Sequence, residues 1–357
     1  MPVLTRLIPS PVSVDINAGA LDDLAGLLAD QRISPSGKLA VAISGGSGAV
    51  LRDRLSPVLP GADWFELADG TIDGAVQLAD AMKSGHYDAV VGLGGGKIID
   101  AAKYAAARIG LPMVAVATNL SHDGICSPVS ILDNDAGRGS YGVPTPIALV
   151  IDLDVIRDAP VRFVRSGIGD AVSNISAIAD WELSHRETGE PIDGLAAAMA
   201  RTAGESVLRH PGGCGDDDFL TVLSEGLVLS GIAMSIAGHT RPSSGACHEI
   251  SHAFDLLFPK RSALHGEQVG LGAAFAMHLR GAHEESALMV DVLRRHGLPV
   301  LPNEIGFSED EFVKAVEYAP QTRPGRYTIL EHLDLSSDAI RDAYADYAKA
   351  VSQTIGG

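Results

Sequence analysis

The sequence predicts two domains: an α/β N-terminal domain with a Rossmann-like parallel sheet over residues 1–160, and an all-helical C-terminal domain over residues 161–357. Three observations lead to this prediction. The chain has 357 residues, more than one hydrophobic core usually serves. Its first half alternates short apolar runs with amphipathic stretches. Its second half consists mainly of long segments rich in alanine and leucine.

Four apolar runs in the first half have the length and unbroken hydrophobicity of strands that are buried on both faces. These runs cover residues 38–43, 88–93, 113–117 and 147–151, with helical stretches at 21–30, 74–84 and 98–108. Because strands alternate with helices along the chain, the pattern predicts a parallel sheet that is covered by helices on both faces.

The second half changes character after about Pro160, where helical patterns dominate and strand character is scarce. The helical stretches cover residues 170–188, 194–208, 218–237, 244–258, 267–280 and 336–354. We place the domain boundary at the step from Ala159 to Pro160, because the residue before a proline is biased away from helix.

The overall charge and the cysteine content argue against several classes of partner. The net charge is −18, so the surface repels phosphate backbones and anionic lipid, and we expect neither nucleic acid nor a membrane as a partner. We also expect no membrane-spanning segment, because no uninterrupted apolar run reaches the necessary length. Three widely spaced cysteines suit a reducing cytosol. The prediction is a cytoplasmic protein, compatible with a homo-oligomer.

The most informative stretch is a triple-glycine turn between a predicted strand and a predicted helix. Gly94, Gly95 and Gly96, followed by Lys97, come directly after the apolar run 88–93 and before the helical stretch 98–108. Glycines allow a tight turn that leaves the first amides of the helix exposed, and these amides with the helix dipole favour a pyrophosphate. The turn therefore predicts a nucleotide cofactor, with a purely structural turn as the alternative.

Three segments of the second half carry side chains that suit a metal ion. Asp170 lies near the start of a predicted helix, His248 and His252 are spaced by one helical turn, and His265 precedes a glycine. A carboxylate and two imidazoles form a three-ligand zinc set with one position left open. Taken singly, Asp170 could equally be a helix N-terminal carboxylate and His265 a loop histidine.

The segment from His248 to His252 also matches the H-E-x-x-H pattern of zinc metallopeptidases. In that interpretation both histidines bind zinc and Glu249 acts as the general base. The pattern is short enough to occur by chance, and it leaves the glycine-rich first half without a purpose. The metallopeptidase therefore stays a distant alternative.

Several motifs together resemble the metal-dependent alcohol dehydrogenase superfamily that includes glycerol dehydrogenase and dehydroquinate synthase. Within it, the sequence is most similar to the sn-glycerol-1-phosphate dehydrogenase family. The motifs lie in residues 92–103, 117–130, 167–174, 241–245, 251–252 and 264–270. The most specific is the middle stretch, with Ser-His-Asp-Gly-Ile followed by Ser-Pro-Val-Ser. The resemblance implies a dehydroquinate synthase-like fold.

The resemblance also implies a metal site. Asp170, His252 and His265 fall on the metal ligands of the family, whereas His248 falls outside the ligand set, next to it. Iron-type members carry a further histidine ligand four residues after the aspartate, and here that position is Asn174. The resemblance therefore favours zinc over iron. An acidic residue usual before position 248 is replaced by Cys247.

The turn of Gly94, Gly95, Gly96 and Lys97 matches the pyrophosphate loop of the superfamily. The resemblance places four further residues around the nicotinamide half of the cofactor, namely Asp100, Thr118, Ser121 and Ser127. Dinucleotide folds favour NAD where an acid can bind the ribose 2′-hydroxyl, and the run that ends at Ile43 is followed by Ser-Gly-Gly-Ser. We therefore expect use of NAD(H) and NADP(H).

The expected reaction is the reversible reduction of dihydroxyacetone phosphate to sn-glycerol 1-phosphate, with His248 and Asp123 as candidates for the proton relay. A phosphorylated substrate needs a cationic clamp, for which Lys260, Arg261 and Arg241 are the candidates. Two related alternatives remain. One is a dehydrogenase of another polyol, ketone or ketone phosphate, and the other is a dehydroquinate synthase-like cyclase on the same fold.

Overall fold

The computed structural model describes residues 9–67, 69–135 and 137–354. The chain divides into two compact units, Met1–Pro160 and Val161–Gly357. Unit 1 contains the strands β1 (Ser13–Asn17), β2 (Leu39–Ser44), β3 (Ala62–Leu67), β4 (Ala89–Gly94), β5 (Met113–Ala117), β6 (Val129–Asn134), β7 (Gly137–Gly142) and β8 (Ala148–Asp152). Its helices are α1 (Leu24–Leu28), α2 (Ser47–Leu55), α3 (Ile72–Met82), α4 (Gly96–Ile109) and α5 (Leu153–Asp158), with 3₁₀ turns at Ala20–Asp22 and Asp123–Ile125.

Six of these strands form one sheet, in the order β1-β8-β5-β4-β2-β3, and all neighbouring pairs are parallel. The predicted parallel α/β sheet is therefore confirmed. Its four predicted strands correspond to β2, β4, β5 and β8. The sequence patterns did not reveal the two edge strands, β1 and β3. They also missed the antiparallel hairpin of β6 and β7, which forms a separate two-stranded sheet.

The core of unit 1 lies against the central strands. Leu39, Val41 and Ile43 are alternate residues of β2, so they share one face of the sheet, and they pack in one cluster with Leu24 and Leu28 of α1. All five side chains are at most 5% exposed. Burial of each such side chain contributes about 1.5–3 kcal/mol, so this face explains why a strand with almost no polar residues forms here.

Unit 2 is built from helices, which confirms the helical second half. The helices are α6 (Val161–Thr188), α7 (Gly194–Arg209), α8 (Asp217–Ala237), α9 (Ala246–Leu257), α10 (His265–Leu279), α11 (His283–Arg295), α12 (Glu309–Tyr318), α13 (Ile329–Leu333) and α14 (Ser337–Thr354). Short 3₁₀ turns cover Pro302–Ile305 and Ala319–Thr322. Helix α6 begins well before Asp170, so this carboxylate lies inside the helix and is not an N-terminal residue that the helix dipole stabilises.

Helix α8 is long and apolar enough to cross a membrane by length and composition, which the search for uninterrupted apolar runs did not anticipate. Two-thirds of its most hydrophobic window, 67%, is buried inside unit 2. It packs against α6 and α7, and Phe219, Leu220, Leu223 and Leu227 are fully buried. The burial identifies α8 as a core helix.

His296 is a buried histidine at the end of α11. Its ring stacks on Phe219 of α8 with centroids 4.9 Å apart and an interplanar angle of 13°. Burial, followed by the charges of Arg295 and Arg165, lowers the pKa of His296 to about 4. The imidazole is therefore neutral at pH 7, and it packs as an aromatic core side chain.

Candidate functional site

The triple-glycine turn lies at the carboxyl end of β4, where α4 begins. A Cβ atom added to Gly95 would lie 2.4 Å from Nδ2 of Asn119, and one added to Gly96 would lie 2.3 Å from Nε2 of His122. A Cβ on Gly94 would meet Cβ of Ile98 at 2.8 Å. The glycines are required because polar side chains from the loop after β5 lie directly over the turn. Asn119 and His122 were missed as site residues by the sequence analysis.

His122 presents a hydrogen-bond donor to this turn. The Gly124 amide donates to Nδ1 of His122 at 3.0 Å, so in the neutral ring Nε2 carries the proton. Nε2 is the atom that approaches Gly96 at the first turn of α4. The side chains of His122 and Asn119 therefore lie close to Gly96 and Gly95 at the start of α4, a position that suits an anion such as a pyrophosphate.

A buried lysine joins α4 to the loop after β5. Lys103 is 1% exposed, and its Nζ lies 2.9 Å from Oδ1 of Asp100 and donates to the carbonyl oxygen of Gly124 at 2.8 Å. Oδ2 of Asp100 accepts from the Ile131 amide at 3.2 Å. The Ser127 hydroxyl lies 3.4 Å from Nζ in the same network. Asp100 and Ser127 thus belong to a buried support that fixes the loop.

The other residues predicted for the cofactor lie along the same edge of the sheet. The Thr118 amide donates to the Gly94 carbonyl at 3.0 Å, which joins the ends of β5 and β4. Ser121 and Asp123 are partly buried in the loop that follows, and Lys97 is exposed on the first turn of α4. The parallel pairing of β4 and β5 is what brings these residues together.

An acidic side chain lies beside the second glycine turn of unit 1. Glu66 of β3 is paired in register with Ile43 of β2, and a Cβ added to Gly45 would lie 2.7 Å from Oε1 of Glu66. The run that ends at Ile43 is followed by Ser-Gly-Gly-Ser, which contains no acid. The acid at this turn comes from the neighbouring strand β3, so it is not adjacent to β2 in the sequence.

The candidate metal-binding side chains lie in unit 2, on three helices. Nε2 of His265 lies 3.5 Å from Oδ1 of Asp170 and 3.2 Å from Nε2 of His248, and the distance from His248 to Asp170 is 4.0 Å. Bonds of about 2.0–2.2 Å to a tetrahedral zinc ion place neighbouring donor atoms about 3.3–3.6 Å apart. The three donor atoms therefore fit one ion with only a small adjustment at His248.

Two glycines allow this approach. A Cβ on Gly169 of α6 would lie 2.0 Å from the Gly266 carbonyl oxygen, and one on Gly266 of α10 would lie 1.7 Å from the Ser166 carbonyl oxygen. The two helix backbones therefore touch at this point. Asp170 directly follows one glycine and His265 directly precedes the other, so the crossing places the two ligand atoms side by side.

Helix α9 is held in place by a buried carboxylate on α6. Oδ2 of Asp180 accepts from the Ala246 amide at 2.7 Å, which satisfies an open amide at the start of α9. Oδ1 accepts from the Ile329 amide at 2.9 Å and from Arg280 at 2.6 Å. Asp180 is fully buried. Its hydrogen bonds fix the position of the first turn of α9 along α6, and His248 lies on that turn.

Both imidazoles of the group have neighbours at the nitrogen that faces away from the other donors. Sγ of Cys247 lies 3.3 Å from Nδ1 of His248, and the Ser251 hydroxyl lies 3.5 Å from Nδ1 of His265. The same hydroxyl donates to Oε1 of Gln268 at 2.8 Å. A proton on each Nδ1 can be donated to these atoms, which keeps each Nε2 lone pair for a metal. Burial raises the pKa of Cys247 to about 12, so it stays a thiol.

The structure brings together Asp170, His248 and His265, whereas the sequence prediction combined Asp170 and His265 with His252. His252 lies one turn further along α9, where its Nε2 is 3.4 Å from Nη2 of Arg323. Among the described residues, the candidate metal group found consists of Asp170, His248 and His265. Burial, followed by the nearby charges of the other histidines and arginines, holds the pKa of His248 well below its ordinary value, so the ring is neutral at pH 7.

Glu249 does not have the environment of a catalytic base. It is fully buried, its Oε2 accepts from the Thr328 hydroxyl at 3.0 Å, and burial raises its pKa to about 9. A peptidase base must be ionised next to the metal-bound water. Glu249 is protonated at neutral pH, so the H-E-x-x-H interpretation is not favoured.

Comparison with known proteins agrees with this fold. Residues 15–160 match the family described as iron-containing alcohol dehydrogenase. The fold is similar to glycerol dehydrogenase from Schizosaccharomyces pombe, with a TM-score of 0.77 at 21% identity over 98% of this chain and 92% of that one. It is also similar to sulfoacetaldehyde reductase from Bifidobacterium kashiwanohense, with a TM-score of 0.71 at 14% identity over 97% and 99% of the chains.

The family match and the relatives described next place the chain in the class of iron-type alcohol dehydrogenases. Closer relatives narrow the assignment. Glycerol-1-phosphate dehydrogenase [NAD(P)+] from Hyperthermus butylicus is 38% identical over 93% of this chain and 95% of its own length. The enzyme of that name from Methanothermobacter thermautotrophicus is 34% identical over 94% and 96%. The chain belongs to the glycerol-1-phosphate dehydrogenase family, a family of oxidoreductases that act on an alcohol group, and the resemblance in the sequence motifs is confirmed.

Proposed function

We propose that the protein catalyses the reversible, NAD(P)-dependent reduction of dihydroxyacetone phosphate to sn-glycerol 1-phosphate at a zinc ion. The observation that carries the proposal is the group of Asp170, His248 and His265, in a chain that is 38% identical to a glycerol-1-phosphate dehydrogenase along nearly its whole length. Residues 1–160 are the proposed dinucleotide-binding domain, and residues 161–357 the proposed metal- and substrate-binding domain.

The residues of unit 2 fit zinc. One carboxylate and two neutral imidazoles are borderline ligands that zinc accepts, and three protein ligands leave a position for substrate. We assign the ligands as Asp170, His248 and His265, with His252 as the competing candidate for the position of His248. A bound zinc ion supplies a Lewis acid that polarises the ketone oxygen. Asn174 hydrogen-bonds Ser230 at 3.1 Å, so this side chain is engaged in the core.

The residues of unit 1 fit a dinucleotide. The amides at Gly95, Gly96 and Lys97, with the side chains of Asn119 and His122, surround the anion position at the start of α4. Thr118 and Ser121 contribute polar atoms from the neighbouring loop, and Lys103 with Asp100 and Ser127 holds that loop rigid. A bound NADH or NADPH supplies the hydride. Rigid support matters because a misplacement of about 1 Å can cost 100-fold in rate.

The proton that the product alcohol needs must come from a group near the reacting oxygen. Asp123 opens the 3₁₀ turn Asp123–Ile125, directly after the loop that carries His122. We propose Asp123 as the proton-relay residue. His248, the other sequence candidate, is used as a metal ligand in this proposal.

The proposed partner is therefore a small phosphorylated ketone or alcohol, and we propose a cytoplasmic enzyme that acts on neither nucleic acid nor lipid. The net charge of −18 and the scarcity of cysteine support this location. A homo-oligomer is compatible with all of these features.

A panel of ketones with both reduced cofactors tests the proposal. Zinc-loaded protein is mixed with NADH or NADPH and with dihydroxyacetone phosphate, dihydroxyacetone or other ketones, and the nicotinamide absorbance is followed. The expected result is a loss of absorbance that is fastest with dihydroxyacetone phosphate and that yields sn-glycerol 1-phosphate. The Asp170→Asn variant should lose both zinc and turnover. Preference for another ketone would replace the substrate, and a cofactor that returns unchanged would indicate a cyclase.

A further inference from the structure

Two of the three sequence candidates for a phosphate clamp are engaged elsewhere in the structure. Arg241 is 4% exposed, and its Nε donates to Oε1 of Glu190 at 2.9 Å in a buried ion pair. Arg261 pairs with Glu311 on the surface. Lys260 is exposed in the turn before it. The two guanidiniums therefore hold parts of unit 2 together, which argues for another arginine at the substrate phosphate.

Arg323 is the arginine that reaches the face of α9 where the histidines lie. It follows the 3₁₀ turn Ala319–Thr322, which packs on α9, and it is partly buried. Its Nη2 lies 3.4 Å from Nε2 of His252. His252 and His248 are four residues apart on α9, so the histidine that Arg323 contacts lies about one helical turn, roughly 5.4 Å along the axis, from the histidine of the metal group.

A second guanidinium adds to the positive charge of this region. Arg326 is partly buried, donates from Nη2 to the Thr240 hydroxyl at 2.8 Å and also donates to the Ser244 carbonyl oxygen. These two acceptors are neutral, so they do not cancel its charge. A divalent metal at Asp170 would increase the positive charge further. In a chain of net charge −18, this local excess favours a dianionic ligand.

We propose that Arg323 binds the phosphate group of the substrate. The inference deepens the proposed function and rests on it. A planar guanidinium can bind two phosphate oxygens at once, and a phosphate monoester carries a charge of about −1.5 to −2 at pH 7. His252 accepts an N–H from Arg323 and so sets the direction of the guanidinium plane.

The test compares Arg323→Gln and Arg323→Lys with wild-type protein, and Arg261→Gln serves as the matched control because that arginine lies on the surface. KM and kcat are measured for dihydroxyacetone phosphate and for free dihydroxyacetone, and binding of inorganic phosphate to zinc-loaded protein is measured by calorimetry. In Arg323→Gln we expect KM for the phosphorylated ketone to rise about 10–100-fold, with KM for the free ketone and zinc content unchanged. Arg323→Lys should recover part of the loss, because it keeps the charge but not the planar pair of donors.

Two results would overturn the inference: an equal rise in KM for both ketones, or phosphate affinity in Arg323→Gln that matches wild type. If wild-type protein reduces no phosphorylated ketone, the proposed function fails, but the calorimetry still decides the role of Arg323. Loss of phosphate binding in Arg323→Gln, partial binding in Arg323→Lys and full binding in Arg261→Gln would then support an anion site. Equal phosphate binding in wild type, both Arg323 variants and Arg261→Gln would show that Arg323 does not bind phosphate.

Discussion

Replacing Gly266 with alanine should separate two of the proposed metal-binding side chains. The added Cβ would lie 1.7 Å from the Ser166 carbonyl oxygen, and ordinary contact begins near 3.4 Å, so α10 must move away from α6 by about 1.7 Å. The clash is with backbone, which cannot rotate out of the way. A shift of that size would widen the 3.5 Å separation of His265 and Asp170 to about 5 Å, too far for neighbouring ligands of one zinc ion.

We therefore expect Gly266→Ala to bind zinc at least 10-fold more weakly, and to lose about 1–3 kcal/mol of stability from overpacking. Zinc affinity is measured by competition with a chromophoric chelator, and the free energy of unfolding of the metal-free protein by denaturant titration. Gly226→Ala is the control, because its Cβ would lie 3.3 Å from the Ala203 carbonyl oxygen at another helix contact. It should bind zinc normally. A folded Gly266→Ala protein with wild-type zinc affinity would refute the argument.

Three further predictions concern single side chains. His248→Ala should lose zinc, whereas His252→Ala should keep the metal in elemental analysis, and the opposite result would restore His252 as the ligand. Glu66→Gln removes a carboxylate beside the second glycine turn, so it should raise kcat/KM with NADPH relative to NADH several-fold, and an unchanged ratio would contradict this. The pKa of His296 is depressed to about 4 from an ordinary value of 6.5, so its contribution to stability is present above pH 6.5 and is lost as the pH falls toward 4. His296→Asn should flatten this decline, which is at most about 1.4 kcal/mol per pH unit, in denaturant titrations between pH 4 and 7, and a decline as steep as that of wild type would exclude His296 as its source.

The central strands were predictable because their environment is uniform. Both faces of β2, β4, β5 and β8 are covered, so almost every position is apolar and the run stands out in the sequence. Strands β1 and β3 lie at the edges of the sheet, and every residue of the two strands except Leu67 is at least partly exposed. Residues such as Asp63 and Glu66 interrupt their apolar pattern, and the periodicity alone does not distinguish them from loops.

The glycine turn was visible in the sequence, but the side chains over it were not. Gly95 and Gly96 mark a close backbone approach, and a glycine does not say what approaches it. Asn119 and His122 come near because β5 lies beside β4 in the sheet, an arrangement that follows from strand order. Loops after neighbouring parallel strands meet at one edge, so the polar residues after β5 were the available signal.

The choice between His248 and His252 depends on tertiary structure in the same way. Residues four apart on a helix share a face, so the sequence of α9 presents both imidazoles equally. What distinguishes the two histidines is which turn of α9 lies against α6 and α10. Asp180 fixes the position of α9 by accepting from the Ala246 amide, and the contact of Gly169 with Gly266 fixes the crossing point of α6 and α10. Together these contacts place His248 beside His265 and His252 beside Arg323. One helical turn therefore separates the proposed metal ligand from the histidine at the proposed phosphate site.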